Sequence, residues 1–424
     1  MRIIDGNSPL LEKIFDRSMV FDDEITGQVA EIVSLVRNEG DPAVCRLNRR
    51  FSGCELTPEE LLVTAEERER AYQSVEPEFL DALRLAIGNV TDFHRRQMGQ
   101  SWFKTEKNGA VLGQILRPLR RVGVYVPGGK AAYPSSALMN AIPAKVAGVQ
   151  EIVMVTPPDA QGRVSPYTLV AAAELGLAEL YKAGGAQGIA ALAYGTGLLA
   201  GVDKITGPGN IYVTLAKRQV YGKVDIDMLA GPSEILIIAD ETANPAYAAA
   251  DLLSQAEHDE LASPVLLTTS PKLAGQVKAI AEEQAKLLSR RPIIESSLER
   301  NGIIVVTDNL EKAFELANRY APEHLELMLE APFNWLPRVE NAGAVFLGHF
   351  TPEPLGDYLA GPNHILPTGG TARFYSALGV DSFIKKTSVL SYTPTGLREV
   401  SATLIKLAEL EGLTAHANAV RARL

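Results

Sequence analysis

Hydrophobic residues follow a helical period over the first hundred positions of the chain. Apolar residues recur three and four positions apart in SPLLEKIF, in ITGQVAEIVSLVRNEG and in a longer segment that ends at FHRRQ. The segment TPEELL opens as a capping box, in which Thr and Glu satisfy the first backbone N–H groups of a helix. The pattern predicts a helical scaffold for this part of the chain.

From about Val111 the period changes, and short β-branched runs alternate with helical ones. One series reads VGVYVPGG, SSALMNAIPAKVAG, EIVMVTPP, PYTLVAAAELG, AELYKAGG, AQGIAALAYG, DKITGPG and NIYVTLAKRQVYG. A second series reads EILIIAD, AYAAADLLSQAEH, PVLLTT, KLAGQVKAIAEEQAKLL, GIIVVTD, LEKAFELANRY and GAVFLG. This alternation predicts an α/β protein with two parallel sheets covered by helices, and a ligand cleft between the two units.

The last sixty residues break the alternation. They contain the glycine-rich GPNHILPTGGTARF, short apolar runs and the helical tail ALAELEGLTAHANAVRARL. The tail is too small to be a domain alone, so we expect it to pack on another surface.

Composition narrows the class of protein. The 424 residues include 41 Lys and Arg against 51 Asp and Glu, and the net charge of -10 would repel a phosphate backbone, so we expect no nucleic-acid partner. The chain has two cysteines, Cys45 and Cys54, which lie nine positions apart and have no second pair. They fit neither a disulfide framework nor a zinc knuckle, so we expect the protein to work in the reducing cytoplasm. We expect no signal peptide and no membrane span, because no apolar run is long enough.

Histidine is scarce and concentrated late in the chain. Gln255 and His258 lie three apart in DLLSQAEHDE, so both side chains could reach one metal ion from a helix. Asp357 and His416 would complete a nitrogen and oxygen set that suits zinc. The alternative is structural: Gln255 and His258 would form a polar helix end, Asp357 would be a turn residue, and His416 would lie on an amphipathic tail helix. The six histidines are His94, His258, His324, His349, His364 and His416.

The adjacent Glu323 and His324 follow a proline in RYAPEHLEL and offer a general base and a helper. The alternative is a Glu in the first turn of a helix beside an exposed histidine. We expect His94 to lie at the surface, and we find no obvious partner for His349, which follows a strand.

Glycine-rich turns follow several predicted strands: VPGGKAAYPSS, KAGGAQGIAA, TGPGNIYV and LAGPSEI. Such turns place backbone amides, and often a helix start, at the carboxyl end of a strand, where they can bind a phosphate or carboxylate. Singly they are ordinary turns, and no GxGxxG motif directly follows a strand.

In this order, VGVYVPGG, GGAQGIAALAYGT, DKITGPGN, GPSEILIIAD, LLSQAEHD, APEHLEL, LGDYLAGPNHILPTGGTARF and EGLTAHANAV make the chain resemble the histidinol dehydrogenase family. The resemblance implies a zinc-dependent enzyme of histidine biosynthesis, with one zinc per subunit. Such an enzyme oxidises L-histidinol through L-histidinaldehyde to L-histidine and reduces two NAD.

The resemblance also assigns residues. It implies the acid–base pair Glu323 and His324, and the metal ligands Gln255, His258, Asp357 and His416. It implies substrate contacts at Ser233, Gln255, His258, His324, Asp357, His364, Glu411 and His416. It implies NAD contacts at Tyr125, Gln187 and Asn210.

The same resemblance implies an intertwined homodimer of chains with two incomplete Rossmann-like domains. The expected division is residues 125–234 for the NAD-contacting domain, 22–124 with 235–376 for the larger domain, and 1–21 with 377–424 for an arm and dimerisation tail. Glu411 and His416 would complete the partner's site.

Two other functions stay open at this point. A zinc hydrolase of a small amine or amide could use the same ligands with Glu323 as base. A non-catalytic binding protein could keep the fold and the metal, although it would not need the Glu323–His324 pair. Because Cys45 and Cys54 lie far in sequence from every motif, we expect the aldehyde to react as a hydrate rather than as a thiol adduct.

Overall fold

The computed structural model describes residues 1–15, 17, 22–128 and 133–424. The segment VPGGKAAYPSS therefore lies partly outside the described residues. The chain begins with a short strand that the sequence did not predict, followed by helices: β1 (Arg2–Asp5), α1 (Leu10–Phe15), α2 (Asp23–Glu39), α3 (Asp41–Ser52), α4 (Ala65–Ser74) and α5 (Pro77–Arg95). TPEELL forms a 3-10 turn that has the predicted capping box.

Two strands, β2 (Trp102–Thr105) and β3 (Val111–Pro118), lead into the first parallel sheet. Its strands lie in the order β6-β5-β4-β7-β8, with the first strand central, as in half of a doubly wound fold. The strands are β4 (Arg121–Tyr125), β5 (Glu151–Thr156), β6 (Glu179–Lys182), β7 (Lys204–Thr206) and β8 (Asp225–Ile226). The helices are α6 (Pro134–Ala147), α7 (Pro166–Glu174), α8 (Gly185–Tyr194) and α9 (Ile211–Val220).

The second parallel sheet repeats this strand order and adds β1 at one edge, giving β1-β11-β10-β9-β12-β13. Its strands are β9 (Glu234–Ala239), β10 (Ser263–Thr268), β11 (Ile303–Val306), β12 (His324–Met328) and β13 (Ala344–Leu347). The helices are α10 (Pro245–Ala256), α11 (Pro271–Gln284), α12 (Arg291–Arg300), α13 (Leu310–Tyr320), α14 (Pro332–Trp335) and α15 (Glu353–Tyr358). The predicted α/β class with parallel sheets is confirmed.

Strand β14 (Ile384–Ser391) pairs antiparallel with β3, and β2 lies on the other side of β3. The register runs from Ile384 opposite Pro118 to Ser391 opposite Val111. The chain ends in α16 (Pro394–Leu410) and α17 (Thr414–Arg421), which pack on each other. Leu407 and Leu410 on α16 stay exposed, Leu410 by 70%. An apolar surface of the tail is thus uncovered within one chain.

The central strands of both parallel sheets are buried, because helices cover the two faces of each sheet. Every residue of β4 and of β9 is buried. The N-terminal helices take part in this cover: α2 packs on α8 and α9, α4 on α7 and α5 on α6. In the described ranges no helix has both the length and the apolar composition needed to cross a bilayer.

The prediction that His94 lies at the surface is wrong, because His94 is fully buried on α5. Its Nδ1 donates to the carbonyl oxygen of Val90 at 2.8 Å, and its Nε2 lies 3.3 Å from Nδ2 of Asn363. Burial lowers the pKa of His94, so the ring is neutral. The histidine therefore anchors the glycine-rich GPNH loop to the N-terminal helices.

Candidate active site

The candidate site lies where the two sheets are joined along the chain. Residues 227–233 connect the carboxyl end of β8 to the amino end of β9, which brings those two edges together. The carboxyl edge of the first sheet carries the glycine-rich turns, as expected. In the second sheet, however, the candidate side chains lie at the amino ends of β9 and β12. The first sheet therefore follows the rule that ligands bind at the carboxyl ends of parallel strands, and the second sheet does not.

Glu323 and His324 lie at the start of β12, and both are buried. The alternative of a helix start with an exposed histidine is therefore wrong. Ala321 ends α13 in the left-handed conformation, with φ of 51°, and this reverses the chain into the strand. His324 pairs in register with Ile235 of β9, so the pair lies beside the start of a second buried strand.

The hydrogen bond of His324 fixes which ring nitrogen can accept a proton. Nδ1 lies 2.9 Å from the carbonyl oxygen of Glu234, and a carbonyl can only accept, so Nδ1 carries the hydrogen. Nε2 is then the acceptor; it is buried, without a hydrogen-bond partner among the described residues. It lies 3.6 Å from Oε1 of Glu353 and 3.9 Å from Oδ1 of Asp357. Burial lowers the pKa of His324 to about 4, against the opposing effect of Asp357.

Glu234 and Glu323 bind each other's backbone. The N–H of Glu234 donates to Oε2 of Glu323 at 2.8 Å, and the N–H of Glu323 donates to Oε2 of Glu234 at 3.3 Å. Oε1 of Glu234 accepts from the Gly369 N–H at 2.6 Å and pairs with the guanidinium of Arg17. Glu234, which the sequence analysis missed, thus positions both members of the predicted acid–base pair.

Burial raises the pKa of Glu323 well above its usual range. The carboxylates of Asp357 and Glu353 raise the pKa further, whereas the charge of Arg17 lowers it. A carboxylate whose pKa is raised is a stronger base toward water once it has lost its proton.

The predicted metal ligands on α10 and α15 fit a metal ion. Gln255 is 1% exposed, and both of its amide atoms are buried without a hydrogen-bond partner among the described residues, which is costly unless a ligand binds there. His258 follows the end of α10, and its Nδ1 lies 3.5 Å from Oγ of Ser233. Asp357 lies on α15. These nitrogen and oxygen donors suit zinc.

Glu353 is a second site residue that the sequence analysis missed. Ligand atoms of His324, Glu353 and Asp357 lie within 4.8 Å of one another and could also contact a cation. The sequence could have identified Glu353, because it lies four positions before Asp357 and the two residues share one face of a helix. Burial and the Asp357 carboxylate raise the pKa of Glu353 to about 9.

Two more carboxyl groups lie beneath the site. Asp251 is one helical turn before Gln255, and Glu326 is two strand positions after His324. Burial raises the pKa of Glu326 well above its usual range and that of Asp251 to about 6. Neither residue was predicted, because a buried charged residue gives no signal in a hydrophobic pattern.

The structure brings most of the predicted substrate residues together. His364 joins the group, since its Nδ1 donates to the backbone oxygen of Asp357 at 3.1 Å. Glu411 and His416 lie elsewhere, lining a groove between α16 and α17. Among the described residues no hydrogen bond or ion pair links His416 to the site, so the fourth predicted metal ligand is missing from the cluster within one chain.

The three predicted NAD contacts all lie at the carboxyl edge of the first sheet. Tyr125 ends β4, and its hydroxyl accepts from the Gly185 N–H at 3.0 Å. Gln187 is buried in the first turn of α8, and Asn210 caps α9 by accepting from the N–H groups of the next turn. The positive ends of α8 and α9 therefore point to this edge, which suits the phosphates of a dinucleotide.

His349 lies away from the candidate site. It follows β13 at the opposite, carboxyl edge of the second sheet, where its Nε2 lies 3.4 Å from Oγ1 of Thr242. It is therefore a histidine of the same sheet outside the candidate site.

Comparisons with known proteins agree with one another. A family model described as histidinol dehydrogenase matches residues 15–424. A curated histidinol dehydrogenase from Carboxydothermus hydrogenoformans is 55% identical over 424 residues, covering 100% of this chain and 99% of the relative. Another, from Heliobacterium mobile, is 54% identical over 421 residues, covering 99% and 97%.

A solved structure agrees as well. The histidinol dehydrogenase from Elizabethkingia anophelis superposes with a TM-score of 0.95 at 38% identity, covering 100% of this chain and 98% of that one. The matches extend over the helical N-terminal region, the two sheets and the C-terminal tail. The chain therefore belongs to the histidinol dehydrogenase family.

Proposed function

We propose that this protein oxidises L-histidinol through L-histidinaldehyde to L-histidine, with NAD as the hydride acceptor in both steps. Membership of the family supports the activity. The observation that carries the chemistry is the buried His324 ring, whose Nδ1 is committed to the Glu234 carbonyl and whose Nε2 is left to accept a proton beside Asp357. Ser233 and His364, together with Glu411 of the partner subunit, would bind the substrate beside the metal ligands.

His324 would act in the first oxidation. The hydroxyl group of histidinol loses its proton to Nε2 of His324, and the carbon loses a hydride, which carries two electrons and a second proton, to NAD, so that an aldehyde forms. The neutral ring required for this step is the form that burial favours.

Glu323 would act in the second oxidation. It removes a proton from water as the water adds to the aldehyde, and the resulting hydrate loses a hydride to a second NAD and a proton to solvent. Its second oxygen stays bound to the N–H of Glu234, which holds the carboxylate in place during the transfer.

We propose that zinc binds Gln255, His258 and Asp357, together with His416 of the partner subunit. The bound ion would act as a template and Lewis acid for the imidazole and amine of histidinol. The unpartnered amide of Gln255 supports this assignment, because a buried amide without a partner is destabilising unless a ligand satisfies it.

The homodimer and the domain division are part of the proposal. The exposed leucines of α16 support a tail that packs on a second chain. We retain residues 125–234 as the NAD-contacting domain, 22–124 with 235–376 as the larger domain, and 1–21 with 377–424 as the arm and tail. Location in the cytoplasm remains a prediction from composition.

The first experiment measures NADH formed per L-histidinol consumed by the zinc-loaded protein, before and after chelation. We expect two NADH per histidinol and none after chelation, with activity restored by added zinc. One NADH would mean that the reaction stops at the aldehyde and that Glu323 is misassigned. Hydrolysis of an amide without NADH would favour the zinc hydrolase, and no turnover would favour a binding protein.

Replacing both cysteines with alanine should leave turnover within about twofold of wild type. Burial and the nearby Asp41 raise the pKa of the Cys45 thiol to about 11, and Cys54 is buried, so neither forms a nucleophilic thiolate. Steady-state NADH formation checks this. A loss of about a hundredfold would instead indicate a thiol adduct of the aldehyde.

A further inference from the structure

A buried ion pair lies beneath the glycine-rich turn at the carboxyl edge of the first sheet. Lys217 on α9 pairs with Oδ1 of Asp227, which follows β8, and their side chains are 3% and 1% exposed. A buried pair of this kind contributes little net stability, because desolvation of the two charges offsets their attraction. Its remaining hydrogen bonds are therefore the informative feature.

Both residues bind the backbone of the same glycine. Nζ of Lys217 donates to the carbonyl oxygen of Gly207 at 3.0 Å, and Oδ2 of Asp227 accepts from the N–H of Gly207 at 2.8 Å. Oδ1 of Asp227 also accepts from the N–H of Met228 at 2.7 Å. The pair thus fixes the peptide groups on both sides of Gly207.

The position and backbone conformation of residue 207 require glycine. Its φ is 121°, and a Cβ added there would lie 2.0 Å from the carbonyl oxygen of Tyr125. A Cβ on Gly209 would lie 2.5 Å from Cβ of Val213 in the first turn of α9. The turn 207–209 is therefore held against Tyr125 on one side and against the start of α9 on the other.

We infer that Lys217 and Asp227 are positioning residues for the dinucleotide, which set the place of the turn 207–209 and hence of Asn210 and the N-terminus of α9. The inference rests on the proposed function, in which NAD binds at this edge. Neither side chain would touch NAD. Each acts through the Gly207 backbone, so its loss should weaken NAD binding more than it slows hydride transfer.

The chain offers a control ion pair on β7 and β8, the two strands that lead into the two ends of this arrangement. Nζ of Lys204 lies 2.9 Å from Oδ2 of Asp225 and donates to the carbonyl oxygen of Ser382 at 2.8 Å. Lys204 lies on β7 and Asp225 on β8, but this pair makes no hydrogen bond to the described turn 207–209. The double variant K204M/D225L removes a neighbouring ion pair without releasing Gly207.

The experiment compares K217M/D227L, K217R and K204M/D225L with wild type. K217M/D227L removes both charges together, which avoids leaving one of them buried without its partner. K217R keeps the charge but replaces the compact ammonium with a larger, planar guanidinium, which cannot reproduce the same two contacts. The measurements are Tm, kcat, the KM for each substrate and the Kd of NAD by calorimetry on the zinc-loaded enzyme.

We expect K217M/D227L to raise the KM and Kd for NAD by about tenfold to a hundredfold. Its kcat at saturating NAD and its KM for histidinol should stay within about threefold of wild type. K217R should raise the KM for NAD by a smaller factor, and K204M/D225L should leave it unchanged.

Three outcomes would overturn the inference: an unchanged KM for NAD in K217M/D227L or in K217R, an equal rise in K204M/D225L, or a fall in kcat alone. Should K217M/D227L not fold, K217R decides by the same criterion. Failure of wild-type protein to form NADH from histidinol would instead reject the proposed function, so the two failures are distinguishable.

Discussion

Replacing His324 with asparagine should lower kcat by about a hundredfold to ten-thousandfold. The Nδ2 group of asparagine can take the place of Nδ1 of His324 and keep the hydrogen bond to the Glu234 carbonyl. The variant therefore loses only the group at Nε2, which would accept the hydroxyl proton. We expect the KM for histidinol and the Kd for NAD to change little, because the surrounding backbone keeps its place.

The measurement is steady-state NADH formation together with single-turnover kinetics. A matched control is H349N, which changes a histidine at the opposite edge of the same sheet and should stay within about twofold of wild type. A kcat for H324N within about tenfold of wild type would contradict the assignment of His324 as the base.

The two parallel sheets could be predicted because their strands are buried on both faces and so read as continuous apolar runs. EILIIAD, which contains β9, is an example. The strand β12 was missed because it lacks such a continuous apolar run. It begins at His324 and contains Glu326, and these buried polar residues interrupt the apolar run. The proline before Glu323 then favoured a helix start.

The third sheet could not be predicted from local pattern. Its central strand, residues 111–118, pairs with residues 384–391, and nothing in either segment specifies a partner so distant along the chain. His94 was misplaced for a related reason. Its ring contacts Asn363, which is 269 positions away in the sequence, and local pattern cannot reveal such a contact.

Some residues of the candidate site could be predicted from the sequence more readily than others. Glu323 and His324 stand out as an adjacent acid–base pair, and His258 by its spacing from Gln255. The spacing of Gln255 from His258 made it only a weak candidate, because glutamine is an uncommon zinc ligand, and the family resemblance made the assignment. Its two unpartnered amide atoms now give a physical reason for it.

A mixture of two inactive variants should regain activity if the tail of one chain completes the site of the other. H324A removes the base and H416A removes the fourth proposed metal ligand, so each homodimer should be inactive. Refolding equal amounts together gives mixed dimers in about half of the population. In each mixed dimer one site carries both changes and the other carries neither, so activity should reach about a quarter of wild type.

The structure motivates this test because His416 lies in the groove between α16 and α17, apart from the cluster around Asp357, while the leucines beside that groove are exposed. A control mixture of H324A with H258A should regain nothing if both residues belong to the same chain's site. In that mixture each site keeps one defect, because its base and its α10 ligand come from one chain. The proposal requires that activity returns in the mixture of H324A with H416A and not in the mixture of H324A with H258A. If activity returned in neither mixture, each chain would build its own site after its tail folds back.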